Sequence, residues 1–327
     1  MASAVYEKAA SGMVPAAYYE KPADLIIEYV GRGLNYAAPL TQAVEGALIK
    51  AMPEAYSTVT NYLATTRSPL SEGFPLMNPV QVLLVMVSYL TIVFVGKAIM
   101  SNFTRIEAKT FSLFHNFAMV SISAYMCYGV VVQALADKYT LFTNPGDNTA
   151  TGYPMAKIIW VFYVSKIPEF IDTFIMVIKK NNRQISFLHI YHHCSIFGVW
   201  WFVFLQAPNG DAYFSAALNS YIHVIMYGYY FLSSIGVKQV SFVKRYITMS
   251  QMTQFMLNFF QASYNIVDCL YLRPEQYARG ELYPLNLSVI LWFYMISMLG
   301  LFYNFFVQDR RRVLAEKKAA TYGKKRN

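Results

Sequence analysis

The segment His189-x-x-His192-His193 concentrates more reactive chemistry than any other stretch of this sequence. On a helix, offsets of 0, 3 and 4 share one face. Imidazoles act as nucleophiles, proton shuttles or metal ligands. Three further stripes have helical spacing. Lys166, Glu169, Asp172 and Thr173 fall at offsets 0, 3, 6 and 7, with Lys166 in reach of Glu169. Asn219, His223, Met226, Tyr227 and Tyr230 form the next stripe, and Thr248, Gln251 and Gln254, followed by Phe255, form the last. Side by side, they offer imidazoles, carboxylates that orient them or take a proton, and amide and hydroxyl donors for a developing oxyanion.

A histidine box of this kind serves either a metal or an acyl group. A non-haem di-iron site, as in membrane desaturases and hydroxylases, needs more histidines than the 5 present, and His115 lies in another segment, away from the box. Iron accepts His and carboxylate ligands, so Glu169 and Asp172 could contribute. A single zinc on His189, His192 and His193 meets poor geometry, because adjacent helical residues diverge by about 100°. No metal is therefore expected. The other reading is acyl transfer. A neutral imidazole attacks a thioester, holds the acyl group as an acyl-imidazole, and passes it to a second nucleophile. The enolate from decarboxylation of a malonyl thioester would be such a nucleophile. Cys194 is a rival nucleophile beside the box, about 100° off the face of His193.

The elements that carry these stripes are membrane elements. Of 327 residues, 56% are hydrophobic and 14% charged, against roughly 25% charged in soluble domains. The net charge of +9 sits in short runs between apolar segments and in the tail, which argues against a nucleic-acid partner. Seven segments approach the ~20 apolar residues of a span: 79–99, 111–135, 155–178, 186–206, 212–234, 246–271 and 285–308. The expected fold is all-α, a polytopic membrane protein of seven helices. Its domains are an N-terminal lumenal or membrane-associated region at 1–78, a seven-helix unit at 79–308 and a basic cytosolic tail at 309–327. The stretch 22–66 could hold one or two amphipathic surface helices. Connections 97–110, 179–185 and 235–245 are basic, and 136–154, 207–211 and 272–284 are not. The positive-inside rule then places the C-terminus in the cytosol and the N-terminal region on the far side. His189 and His192 would lie about 5–10 Å inside the cytosolic face, so the site opens to the cytosol while an acyl tail runs deeper. Cys127, Cys194 and Cys269 all lie in apolar segments and offer no disulfide framework. The N-terminus lacks the pattern of a signal peptide. Lys324 and Lys325, before Arg326 and Asn327, resemble a dilysine retrieval signal for the endoplasmic reticulum.

The four motifs, in order, resemble the ELO family of very-long-chain fatty-acid elongases over about residues 75–310; His115-Asn116 also resembles a family feature. The resemblance implies seven helices in the endoplasmic-reticulum membrane around a narrow acyl tunnel. It implies condensation of an acyl-CoA with malonyl-CoA to a 3-ketoacyl-CoA, CO2 and CoA, with no cofactor beyond these substrates. It makes His192 the acyl carrier and His223 its partner near the thioester, with His189, His193, Asp172 and Glu169 completing the catalytic set. Lys166, Thr173, Asn219, Met226, Tyr227, Tyr230, Gln251 and Gln254 become substrate-binding residues. Partners would be membrane lipid and the 3-ketoacyl reductase, dehydratase and enoyl reductase of the elongation cycle, with room for a homodimer. Pro168, inside the first motif, departs from the family pattern and should kink the third span. Gln184 and the stretch from Lys179 to His193, with Met226 to Tyr230, look most like fungal and protist elongases of Δ6-unsaturated C18 chains. Saturated, monounsaturated and C20 polyunsaturated chains are the alternatives. A lipid-binding scaffold or a transporter would need neither the intact box nor Asp172, and paired halves are not evident.

Overall fold

Long apolar segments without β-signals form helices, and the computed structural model, which describes residues 17–237 and 243–324, contains no strand among them. Two helices precede the bundle: α1 (Ala17–Ala51) and α2 (Pro53–Thr66). The bundle follows as α3 (Pro79–Ser101), α4 (Lys109–Ala136), α5 (Tyr153–Val164), α6 (Lys166–Ile178), α7 (Phe187–Gln206), α8 (Ala212–Ser234), α9 (Val243–Val267), the short α10 (Pro274–Ala278) and α11 (Leu285–Lys324). Among the described residues, four helices are long and apolar enough to cross a membrane: α3, α4, α7 and the Leu285–Gln308 part of α11. The other expected spans are α5 with α6, which are 12 and 13 residues long, and α8 and α9, which are long but carry the polar stripes.

The third expected span, 155–178, is divided. Its helix is interrupted at Ser165, three residues before Pro168. Proline has no N–H to offer the carbonyl four residues back, and its ring crowds that carbonyl. The break lets two differently aimed helices share one segment. α5 is buried continuously from Met155 to Val164, as a helix apolar all round must be. Around it, α4 packs on α8, α8 on α9, α9 on α11, α11 on α7, and α7 and α4 on α6, with α3 against α6 and α7.

The two ends of the bundle are fastened differently. At the end carrying the basic connections, Ile106 N donates to Ile178 O (3.0 Å) and Lys179 Nζ to Ser112 Oγ (2.8 Å). At the opposite end, Asn209 clasps the 147–152 loop. Its Nδ2 donates to Asp147 O (2.6 Å) and Gly152 O (3.2 Å), and its Oδ1 accepts from Asp147 N (2.9 Å). The stretch 22–66 is helical almost throughout. α1 docks beside α5 by the fully buried Ala23 and a Lys157–Asp24 ion pair of 2.7 Å. α2 buries no residue, although Gln206 Nε2 reaches Thr66 Oγ1 at its end (3.0 Å). Residues 1–16, and Lys325 to Asn327 of the retrieval signal, lie outside the described residues.

Candidate active site

α7 begins with Ser186 as N-cap, its hydroxyl accepting from His189 N. Capping holds the first turn regular and so brings His189, His192 and His193 onto neighbouring α3, α6 and α11. His189 Nε2 meets Thr173 Oγ1 on α6 at 2.7 Å, and Thr173 Oγ1 meets Tyr89 OH on α3 at 3.3 Å. His193 is buried between Tyr89 and Phe170, with its ring 4.4 Å from that of His189 and 5.5 Å from that of His192. Its Nδ1 has no hydrogen-bond partner. His192 faces the other way, with Nδ1 3.4 Å from Tyr294 OH on α11. Tyr294 OH in turn lies 3.1 Å from Ser195 Oγ, one helical turn beyond His192.

The α6 stripe does not act as one face. Lys166 and Glu169, each 1% exposed, form a 2.6 Å ion pair. Lys166 Nζ also donates to Asn219 Oδ1 on α8 (3.1 Å). His223 Nδ1 stands 3.3 Å from Glu169 Oε1, within ion-pair distance but outside hydrogen-bond geometry. Asp172 turns toward α4 and α8. Its Oδ2 accepts from Tyr227 OH (2.5 Å), and its Oδ1 lies 2.9 Å from His115 Nε2. Thr173 serves α7, as described above. The Ser165 break thus places a carboxylate–lysine pair beside one imidazole of α8 and a second carboxylate beside a helix the sequence reading left out.

His115 corrects that reading: it lies within the cluster, not apart from the box. A depth signal was present. His115 is six residues from the Lys109 start of α4 and Asp172 six from the Ile178 end of α6, at the same end of the bundle. Tyr89, Tyr294 and Ser195 were also missed, since an aromatic or a serine in an apolar helix carries no spacing signal of its own.

Between α7, α8, α9 and α11 runs a narrow cavity. His192, Asn219 and Gln254 line it on the side of the polar cluster. Ile196, Val199, Phe255, Leu291 and Met295 form apolar walls. From His192 to Val203 the cavity follows α7 for about 16 Å at 1.5 Å per residue. Of the expected substrate-binding residues only Asn219 and Gln254 stand in its walls; Lys166, Thr173, Met226, Tyr227, Tyr230 and Gln251 do not. Gln251 Nε2 only approaches Met226 Sδ (3.8 Å), and Tyr230 is 41% exposed and packs on Tyr227 and Tyr229. Gln184 is exposed in the turn before α7, outside the cavity. Among the described residues no group of three His, Cys, Asp or Glu side chains has the arrangement to hold a metal ion.

The arrangement sets an imidazole at the mouth of an apolar cavity, with a second imidazole, a lysine–glutamate pair and an amide close by. That is what acyl transfer from a thioester requires. Residues 74–318 match the family model described as "ELO: GNS1/SUR4 family". The chain is 35% identical over 309 residues to "Fatty acid elongase 6" of Leishmania major, covering 93% of this chain and 77% of that protein. It is 35% identical over 265 residues to "Very long chain fatty acid elongase 5" of Xenopus tropicalis, covering 80% and 85%. To the Homo sapiens protein of the same description it is 37% identical over 238 residues, covering 72% and 76%.

Proposed function

Since the chain belongs to the ELO family and is a fatty-acid elongase, a very-long-chain 3-oxoacyl-CoA synthase, we propose that it works through an acyl-imidazole on His192. The observation that carries this is the position of His192, at the junction between the polar cluster and the apolar cavity. The acyl tail fills the cavity and the thioester carbonyl lies at its mouth. A nitrogen of His192 attacks that carbonyl, the C–S bond breaks, and the proton lost from the imidazole goes to the CoA thiolate. Malonyl-CoA then takes the place of CoA. Its C–CO2 bond breaks, the resulting enolate carbon attacks the acyl-imidazole carbonyl, and the C–N bond breaks to release 3-ketoacyl-CoA, the departing imidazole nitrogen taking up a proton from water. Asn219 and His223 face the oxyanion that forms in each step. Lys166–Glu169 holds His223 and Asn219 in place, and Asp172, held by Tyr227 and His115, fixes α6 against α4 and α8. No metal or other cofactor takes part, so chelators should leave turnover unchanged. Metal that leaves together with activity would reverse this point.

The finer assignments follow the same reading. Seven spans, counting α5–α6 as one, enclose the tunnel, which opens to the cytosol on the side of the basic connections. The C-terminus is cytosolic and the membrane is that of the endoplasmic reticulum, where the reductases and dehydratase of the cycle are the partners and a second copy can pair. The preferred acceptor is a C18 acyl-CoA with a Δ6 double bond. Support for that preference is the similarity of residues 179–193 and 226–230 to fungal and protist elongases, an analogy rather than a physical derivation.

The test is intact-mass measurement of purified protein treated with acyl-CoA alone. The expected result is release of free CoA and an acyl adduct on His192, absent in His192→Ala. An adduct that persists in that variant, or maps to Cys194, sinks the mechanism. A glycosylation tag modified at the C-terminus but not at the N-terminus would reverse the topology. A clear preference for palmitoyl-CoA in a panel of acyl chains would reject the substrate assignment.

A further inference from the structure

The far end of the cavity is not apolar. Beyond Val199, Trp200 and Leu287 its walls are Asp211, Gln261, Asn265, Tyr283 and Ser288. Gln261, Asn265 and Ser288 are 1%, 4% and 2% exposed. Gln261 Oε1, Asn265 Oδ1 and Ser288 Oγ all lack a hydrogen-bond partner. Buried polar atoms in folded proteins are nearly always paired, so three together at one end of a cavity mark a place where something else pairs them.

The chemistry of the missing partner is fixed by what the amides already do. Gln261 Nε2 donates to the backbone carbonyl of Asp211 (2.9 Å). Asn265 Nδ2 donates to Asp211 Oδ2 (2.6 Å). Both Asp211 oxygens can only accept, so neither amide can be turned over without setting oxygen against oxygen. Gln261 Oε1 and Asn265 Oδ1 are therefore acceptors facing the cavity, and Ser288 adds a hydroxyl that both donates and accepts. The complement is a small neutral group with an O–H donor. A hydrocarbon terminus offers none and would leave all three atoms unpaired. A carboxylate would face two acceptor oxygens.

We propose that this end of the cavity is a subsite for a hydroxyl group carried on or near the terminal carbon of an acyl chain, so that the enzyme elongates ω-hydroxyacyl-CoA alongside unsubstituted chains. The inference rests on the reading that the acyl chain occupies this cavity with its thioester at His192. A bound water supplies the same O–H chemistry, and it is the alternative occupant that the test separates.

Full-length enzyme in membranes is assayed with malonyl-CoA and paired C16 and C18 acyl-CoAs, each with and without an ω-hydroxyl. At the better-fitting length the wild-type kcat/KM for the hydroxylated chain should equal or exceed that for the plain one. Ser288→Val should lower the ratio roughly tenfold, mostly through the hydroxylated chain, because Gln261 Oε1 and Asn265 Oδ1 only accept and the substrate's hydroxyl oxygen loses Ser288 as its donor while the added methyl groups crowd it. Ser288→Ala should fall between. Ser288 bonds to no other side chain, so both variants should fold. A second readout is thermal unfolding of purified protein with each acyl-CoA and no malonyl-CoA. The hydroxylated chain should stabilise the wild type more than the plain chain does, and the two chains should become equivalent in Ser288→Val. If the plain chain is preferred tenfold at both lengths, or the ratio and the unfolding difference ignore Ser288, the far end holds water only and the subsite is overturned while elongation stands. If neither chain yields product, the elongation reading fails, and the unfolding difference still decides the subsite.

Discussion

The molecule buries two polar clusters, one toward each end of the bundle, and they are built on opposite plans. Both carboxylate oxygens of Asp211 are spoken for. Its Oδ1 accepts from Asn144 N (2.7 Å) and Asn144 Nδ2 (2.8 Å), and its Oδ2 from Thr143 N (2.9 Å) and Asn265 Nδ2 (2.6 Å). Burial pushes the Asp211 carboxyl above its ordinary range, and these donors from Asn144, Asn265 and Thr143 act against that. With Asn209 clasping the neighbouring loop, this cluster ties two connections and α9 together. Around His192 the plan is reversed. His193 Nδ1 has no hydrogen-bond partner, His223 Nδ1 has only the 3.3 Å approach of Glu169 Oε1, and Tyr294 reaches His192 only at 3.4 Å. A carboxylate saturated with donors from three elements holds a fold, while imidazole nitrogens left unspent beside a cavity are available for chemistry.

The comparison breaks first at His192. His192→Ala should lower elongation by roughly 10³-fold or more, since residues that act as a unit fail together. Expression and thermal unfolding should stay near wild type, because the ring is held by one long contact. A variant that keeps a tenth of wild-type activity would move the acyl carrier elsewhere. At the other end the pattern should invert. Asn209→Ala removes three hydrogen bonds and should destabilise by about 2 kcal/mol. Activity per folded molecule should be unchanged, as Asn209 does not line the cavity. Thermal unfolding and activity normalised to folded protein read both outcomes. Gly210 sharpens the same point. It has φ +61°, and a Cβ there would meet Pro145 O at 2.6 Å, so Gly210→Ala should also lower stability and leave turnover of the folded protein alone.

The two clusters also differed in how far the sequence disclosed them. His189, His192, Lys166, Glu169, Asn219 and His223 stand on stripes of three and four, and helical periodicity reads such stripes directly. The structure adds which neighbour each one meets. His115 was legible only as a depth match with Asp172, because a lone histidine has no period. The Asp211 cluster is invisible in the sequence as a unit. Its donors come from a loop near residue 144 and from α9 at 265, so only the closed ring of helices brings them together. The division of the third span at Ser165 was foreshadowed by Pro168. That the two halves would point their polar residues at different helices was not, since orientation after a break depends on packing.

Within the His192 cluster the contacts can be ranked. Tyr227→Phe deletes one hydroxyl and leaves Asp172 Oδ2 without its donor. An unmade hydrogen bond to a buried carboxylate of this kind is worth about 1.4 kcal/mol, a factor of about ten in kcat/KM. The loss should appear for all acyl chains alike, because Tyr227 positions α6 and does not touch the cavity. If the loss depended on chain type, Tyr227 would belong to substrate recognition instead.

The smallest effect is expected at Gln184, and it bears on what decides the acyl chain. In the sequence this residue stands out by its likeness to polyunsaturated-chain elongases. The structure puts it in the turn between α6 and α7, exposed, with its backbone N donating to Asn181 O (2.9 Å). No wall of the cavity includes it. A charge added at an exposed turn is screened by solvent and changes stability by less than about 0.5 kcal/mol. It can reach the acyl chain only through α7, and α7 is held independently by the Ser186 cap and the Thr173 contact. Gln184→Arg should therefore change the ratio of kcat/KM between a Δ6-unsaturated and a saturated C18 acyl-CoA by less than about twofold. Phe255→Ala or Leu291→Ala, which widen the cavity itself, should move the same ratio more. If Gln184→Arg shifted the preference tenfold and the cavity variants did not, chain choice would be made at the mouth, where CoA docks, and the cavity walls would matter only for length.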